Sequence, residues 1–177
     1  MKVANMTYYV CATTLLSFAI LGLSVDAFQS AAKPKEGPKF TELSREDISS
    51  LDRQRALVEA AARKRYGVSR LERTKADLAV LQRLIDDRAF SKTQTYELQS
   101  LGVTFGDVLM SELPLRWVMV TDEYGTDPTL RFKNTTIQVN ALTMISKRIE
   151  KGERVNLSRL LEITREELPR FEKKLTK

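Results

Sequence analysis

The sequence predicts an α+β domain: three N-terminal helices, a short three-stranded antiparallel meander, then two C-terminal helices. Three observations carry that prediction. Apolar residues recur at helical spacing from 44 to 112. From 115 to 139 the spacing shortens towards two, in runs separated by turn formers. After Asn140 the helical spacing returns and holds almost to the end.

The N-terminus precedes this domain. After Lys2 no charge interrupts the apolar run that ends at Val25. Val25-Asp26-Ala27 then offers small or modest residues at the −3 and −1 positions of a signal-peptidase site. Residues 1–27 are therefore expected to be a signal peptide. The alternative is an uncleaved anchor, because the run is about long enough to span a bilayer. Residues 28–43 contain Pro34, Gly37 and Pro38 without any period, and read as a flexible linker. Ser30-Ala-Ala-Lys33 matches a penicillin-binding pattern by chance, since that motif needs a helix start beside a cleft.

Residues 44–177 hold the folded body. Ser44 with Asp47 forms a capping-box start, and Ile48, Leu51, Val58, Ala62 and Tyr66 follow at helical spacing until Gly67. A second helix is expected over 71–87, with Leu71, Leu78, Leu81 and Ile85 on one face. Ser91 with Gln94 caps a third, which runs to about Glu112 and contains Gly102 and Gly106. Each glycine costs about 1 kcal/mol relative to alanine, so a close backbone approach is expected to offset it. Pro114 closes that helix.

Residues 116–121 read as a central strand, apolar on both faces, with Trp117 in the core. Asp122–Pro128 is dense in turn formers and reads as a loop. Residues 130–132 and 137–139 alternate and suit two half-buried strands joined near Lys133-Asn134. Asn140 caps a fourth helix that ends before Gly152. Asn156 caps a fifth, which Pro169 should kink or shorten.

From Leu101 onward the pattern resembles the bacterial domain-of-unknown-function family numbered 3806. The residues that carry this are 101–109 (Leu-Gly-Val-Thr-Phe-Gly-Asp-Val-Leu), 117–128 and 144–153. The resemblance implies an α+β body of bacterial, exported origin. It brings no established activity with it.

Composition narrows the chemistry. The chain has no histidine, and its one cysteine, Cys11, lies in the expected signal peptide. Ser–His–Asp and Cys–His nucleophile systems are therefore excluded, as is zinc held by Cys and His. No phosphate-cradling or dinucleotide-binding glycine pattern occurs, so no cofactor is expected. The net charge is +6, with basic and acidic residues interleaved.

Asp122, Glu123 and Asp127 form the densest acidic cluster. Two carboxylates across a tight loop suit acid/base hydrolysis or oxygen ligation of a metal; the structural alternative is a turn fixed by Asp127-Pro128. Lys147 and Arg148 on the fourth helix could reach Asp122 or Asp127, or face solvent. The expected contact residues are therefore Asp122, Asp127, Arg131, Lys147 and Arg148, with no metal site. The expected role is a non-catalytic interaction module of the bacterial envelope, periplasmic or secreted. Its partner would be an envelope protein or polymer, with no nucleic acid, and it would touch a membrane only through an uncleaved N-terminal segment. A carboxylate-based hydrolase is the alternative, and a polyanion binder a further one.

Overall fold

Ser44 decides where the first long helix starts. Its hydroxyl accepts the Asp47 N–H at 3.1 Å, and the Asp47 carboxylate accepts the Ser44 N–H at 2.9 Å. This reciprocal pair satisfies two donors that a helix start otherwise leaves open. Helix α1 then spans Arg45–Tyr66 and buries Leu51, Val58 and Ala62 along one stripe. Gly67 ends it at φ 70°, a left-handed conformation that costs glycine little.

The computed structural model describes residues 37–175. The expected signal peptide lies outside them, as does most of the expected linker. The elements in order are β1 (Lys39–Thr41), α1, a 3₁₀ turn (Lys75–Asp77), α2 (Leu78–Asp86), α3 (Thr95–Glu112), β2 (Leu115–Asp122), β3 (Gly125–Phe132), β4 (Gln138–Val139), α4 (Ala141–Glu150) and α5 (Leu157–Leu175). The α+β class holds, and the sheet is antiparallel with four strands in the order β1-β2-β3-β4.

The extra strand comes from the segment read as linker. Lys39, Phe40 and Thr41 pair with Thr121, Val120 and Met119 and make β1 an edge of the sheet. The second helix starts later than its apolar spacing suggests. The Asp77 carboxylate accepts the N–H groups of Glu72, Arg73 and Thr74, which holds 72–74 in a tight loop. Arg73 takes φ 60° there and cannot be helical. The third helix begins at Thr95; Ser91 and Gln94 shape the turn before it. Pro169 lies inside α5, which continues past it to Leu175.

The expected loop at 122–128 is mostly strand. Asp122 pairs with Gly125, leaving Glu123 and Tyr124 as a two-residue hairpin turn. Pro128 pairs with Met119. It is tolerated because β4 reaches only Leu130 and Arg131, so no strand needs an N–H from Pro128.

Helix α3 is the spine of the domain, with Leu98, Leu101, Val103, Phe105, Val108 and Leu109 all buried. Its two glycines permit close approach. A Cβ at Gly102 would lie 2.5 Å from the carbonyl oxygens of Ala141 and Leu142; one at Gly106 would lie 2.5 Å from the Trp117 ring. The start of α4 and the indole of β2 therefore rest directly on the α3 backbone. This is the compensation the sequence called for.

Strand alternation sorts the sheet into two faces. Leu115, Trp117, Leu130, Phe132 and Val139 belong to the core shared with the helices. Val118 and Val120 are also buried, but on the other face and outside that core.

Candidate functional site

The five expected contact residues divide between the two sides of the sheet. Asp122 and Asp127 share the outer face as diagonal neighbours, given the pairs Asp122–Gly125 and Val120–Asp127. The Asp122 carboxylate accepts the Tyr124 N–H at 2.8 Å and shapes the hairpin turn. Asp127 is exposed. Arg131 is on the same face but is already engaged. Its guanidinium stacks 4.4 Å over the Phe40 ring and donates to the Thr135 carbonyl at 2.7 Å and the Asn134 carbonyl at 3.1 Å. Arg131 pairs with Arg116 and Phe40 with Val120, so their contact crosses above Val118 on β2. That contact closes the outer face.

Lys147 and Arg148 belong to α4, in the helix layer on the opposite side. Arg148 turns back onto its own helix and donates to the Met144 carbonyl. Neither residue forms an ion pair with Asp122 or Asp127. The structure thus brings Asp122 and Asp127 together and leaves the cations elsewhere. Among the described residues no group of three or more acidic side chains could hold a metal ion.

Sequence reasoning passed over Asp107. Its carboxylate is buried between α1, α3 and β2. Arg55 binds it bidentately, with both N–O distances 2.7 Å, and the Trp117 indole N–H donates to it at 2.9 Å. Burial pulls the Arg55 pKa down; hydrogen bonds and attraction to Asp107 and Asp52 outweigh this, and the net shift is upward. All three groups are consumed by one another, so the cluster is a clasp between elements. The available signal was an acid set among Val103, Phe105, Val108 and Leu109 on a helix that buries nearly every face.

A cleft of about 340 Å³ opens where α3, β2, β3 and α5 meet, lined by Leu113, Phe132, Leu168 and Pro169 among others. Its cations are neutralised within it. Lys133 bonds Glu172 at 2.6 Å and Arg165 bonds Glu112 at 3.2 Å.

The far end of α1 is different. Residues 63–75 contain Arg63, Lys64, Arg65, Arg70, Arg73 and Lys75 against one acid, Glu72. All six cations are exposed, and none forms an ion pair among the described residues. The loop is fixed against the helix, because Arg63 donates to the Ser69 carbonyl at 2.9 Å and Glu59 accepts the Leu71 N–H at 3.4 Å. Next to it, Arg65 reaches the Ala89 carbonyl, and Tyr66 is held by Asp87 and by Arg83 stacked on its ring.

Residues 77–160 match the sequence profile of a family described as Domain of unknown function (DUF3806). Over these residues the chain is similar to DUF3806. The DUF3806 region thus holds α3 with its two glycines, the hairpin and α4, while α1 and the basic loop precede it. A crystal structure from Bacteroides thetaiotaomicron VPI-5482 is similar in fold, with TM-score 0.65 and 15% identity. The superposition covers 73% of this chain and 47% of that one, so this chain spans about half its length. No curated protein matches the chain.

Proposed function

We propose that this is an exported bacterial protein that serves the cell envelope as a binding module, holding a polyanionic partner without chemistry. One observation carries the reading: six exposed cations with no ion pair among the described residues stand within thirteen residues at the end of α1. The contact surface in this reading is that basic end. The hairpin acids, Asp122 and Asp127, are not part of it.

The fold's own electrostatics account for half of the cluster. Arg63, Lys64 and Arg65 occupy the last turn of α1, where cations complement the helix dipole. Arg70 and Arg73 lie in the loop, and Lys75 opens the 3₁₀ turn that leads into α2. These three have no ion-pair partner among the described residues, and an anionic partner would supply one.

The test uses heparin as a defined polyanion probe. The intact protein should bind it at low ionic strength, and affinity should fall steeply as salt rises. Lys64→Gln with Arg70→Gln and Lys75→Gln should weaken binding about tenfold or more, since each exposed cation near an anionic surface is worth about 1 kcal/mol. Asp122→Asn with Asp127→Asn should not weaken it. Equal binding by the wild type and the triple variant would refute the reading.

A further inference from the structure

We infer that the partner of the basic end is the anionic headgroup surface of a lipid bilayer. This rests on the reading above and narrows it.

Three observations select a bilayer over a nucleic acid strand. First, the cations come from three consecutive segments: the last turn of α1, the loop, and the 3₁₀ turn. The loop is fastened to α1 through Arg63 and Ser69, so they form one fixed array. Second, Val68, between the cations of the helix and those of the loop, packs against the core while the cations around it stay exposed. An array that presents charge alone suits an anionic headgroup surface. Third, the neighbouring ring that could stack on a base is occupied. Tyr66 carries the Arg83 guanidinium 4.0 Å over its face and gives its hydroxyl to Asp87 at 2.7 Å. Single-strand binding without a free ring forfeits its main source of base affinity.

The sequence outside the described residues adds a reason of place. On the reading above, the apolar run ending at Val25 directs the chain to a membrane. A basic patch then holds it at that surface reversibly, by charge.

The experiment measures sedimentation of the protein, as purified from the producing bacterium, with vesicles of two compositions. One is pure phosphatidylcholine. The other replaces part of it with phosphatidylglycerol. The protein should bind the anionic vesicles about tenfold or more tightly than the neutral ones, and moderate salt should erase the difference. The K64Q/R70Q/K75Q variant should lose most of that preference. A control with the same charge change in the C-terminal helices and the loop between them, K147Q/K151Q/R159Q, should retain it within about twofold. Circular dichroism of each variant establishes that it is folded.

Equal binding to both vesicle types, or a preference that the first triple variant keeps, overturns the inference. If the wild type ignores anionic vesicles yet binds heparin or single-stranded RNA through the same residues, the bilayer is the wrong partner while the polyanion reading stands. If it binds none of these probes, both fall.

Discussion

Replacing Gly102 by alanine should destabilise this fold, although the same change in an open helix would stabilise it. In an unencumbered helix interior the gain from glycine to alanine is about 1 kcal/mol. Here the new methyl carbon would stand 2.5 Å from two backbone oxygens, those of Ala141 and Leu142, where ordinary contact begins at 3.4 Å. Both oxygens must retreat by about 0.9 Å. They belong to the first turn of α4, so the start of that helix moves with them. The same segment packs Ala141 against Gly106, which resists the displacement. Inserting a methyl group into a tightly packed contact costs about 1–3 kcal/mol, and more where the backbone must shift. With two backbone atoms displaced, the upper end applies. The net expectation is a loss of about 2 kcal/mol after the propensity gain is counted. Urea unfolding followed by far-ultraviolet circular dichroism reads this as a lower midpoint at an unchanged slope. A midpoint that rises by the equivalent of about 1 kcal/mol would refute the close α3–α4 contact.

Two further changes test the buried clasp and a pH-sensitive contact. Asp107→Ala leaves the Arg55 guanidinium and the Trp117 indole without their acceptor, and should cost about 3–5 kcal/mol in urea unfolding. Asp107→Asn should cost less, because an amide oxygen can still accept from Trp117; equal losses would contradict the assignment. Burial, then the hydrogen bond to Asp87 and its charge, raise the Tyr66 pKa above its ordinary 10.0. A proton held more tightly in the folded chain contributes stability that is complete below the unfolded pKa. That stability is lost as pH climbs from about 10 through the folded value. Tyr66→Phe should remove this component, as seen in unfolding free energies measured on either side of pH 10.

The helix boundaries were legible where local chemistry sets them. Ser44, Asp47 and Gly67 announce α1 because capping involves residues three or four apart. Gly102 and Gly106 announced a close approach, although not its partner, which lies some forty residues further on. The hairpin was misread for a physical reason. Asp122–Pro128 has the composition of a loop, yet Thr121 and Thr126 pair across the strands, and the end of β3 nearest the turn lies beyond the reach of β4. There a proline costs no hydrogen bond. Lys39–Thr41 escaped notice because three residues carry too little period to identify a strand.

The candidate site was less legible than the fold. The choice of Asp122, Asp127, Arg131, Lys147 and Arg148 assumed that the loop and the fourth helix share a surface. The sheet separates them, and Arg131 is used up in covering the outer face. Asp107 lay hidden because its partners, Arg55 and Trp117, come from two other elements. The basic residues of 63–75 were visible in the sequence as charges offset by nearby acids. Their freedom from ion pairs is a property of the folded arrangement, and no spacing rule reveals it.

Mapping backbone amide shifts by NMR during titration with anionic lipid discs, or with heparin as a soluble stand-in, tests the account most directly. Perturbations should concentrate in residues 63–75 and the adjoining 83–92, leaving 122–131 and 147–148 quiet. Shifts gathered instead on the β2–β3 hairpin and its outer sheet face would place the contact surface on the wrong end of the molecule and contradict it.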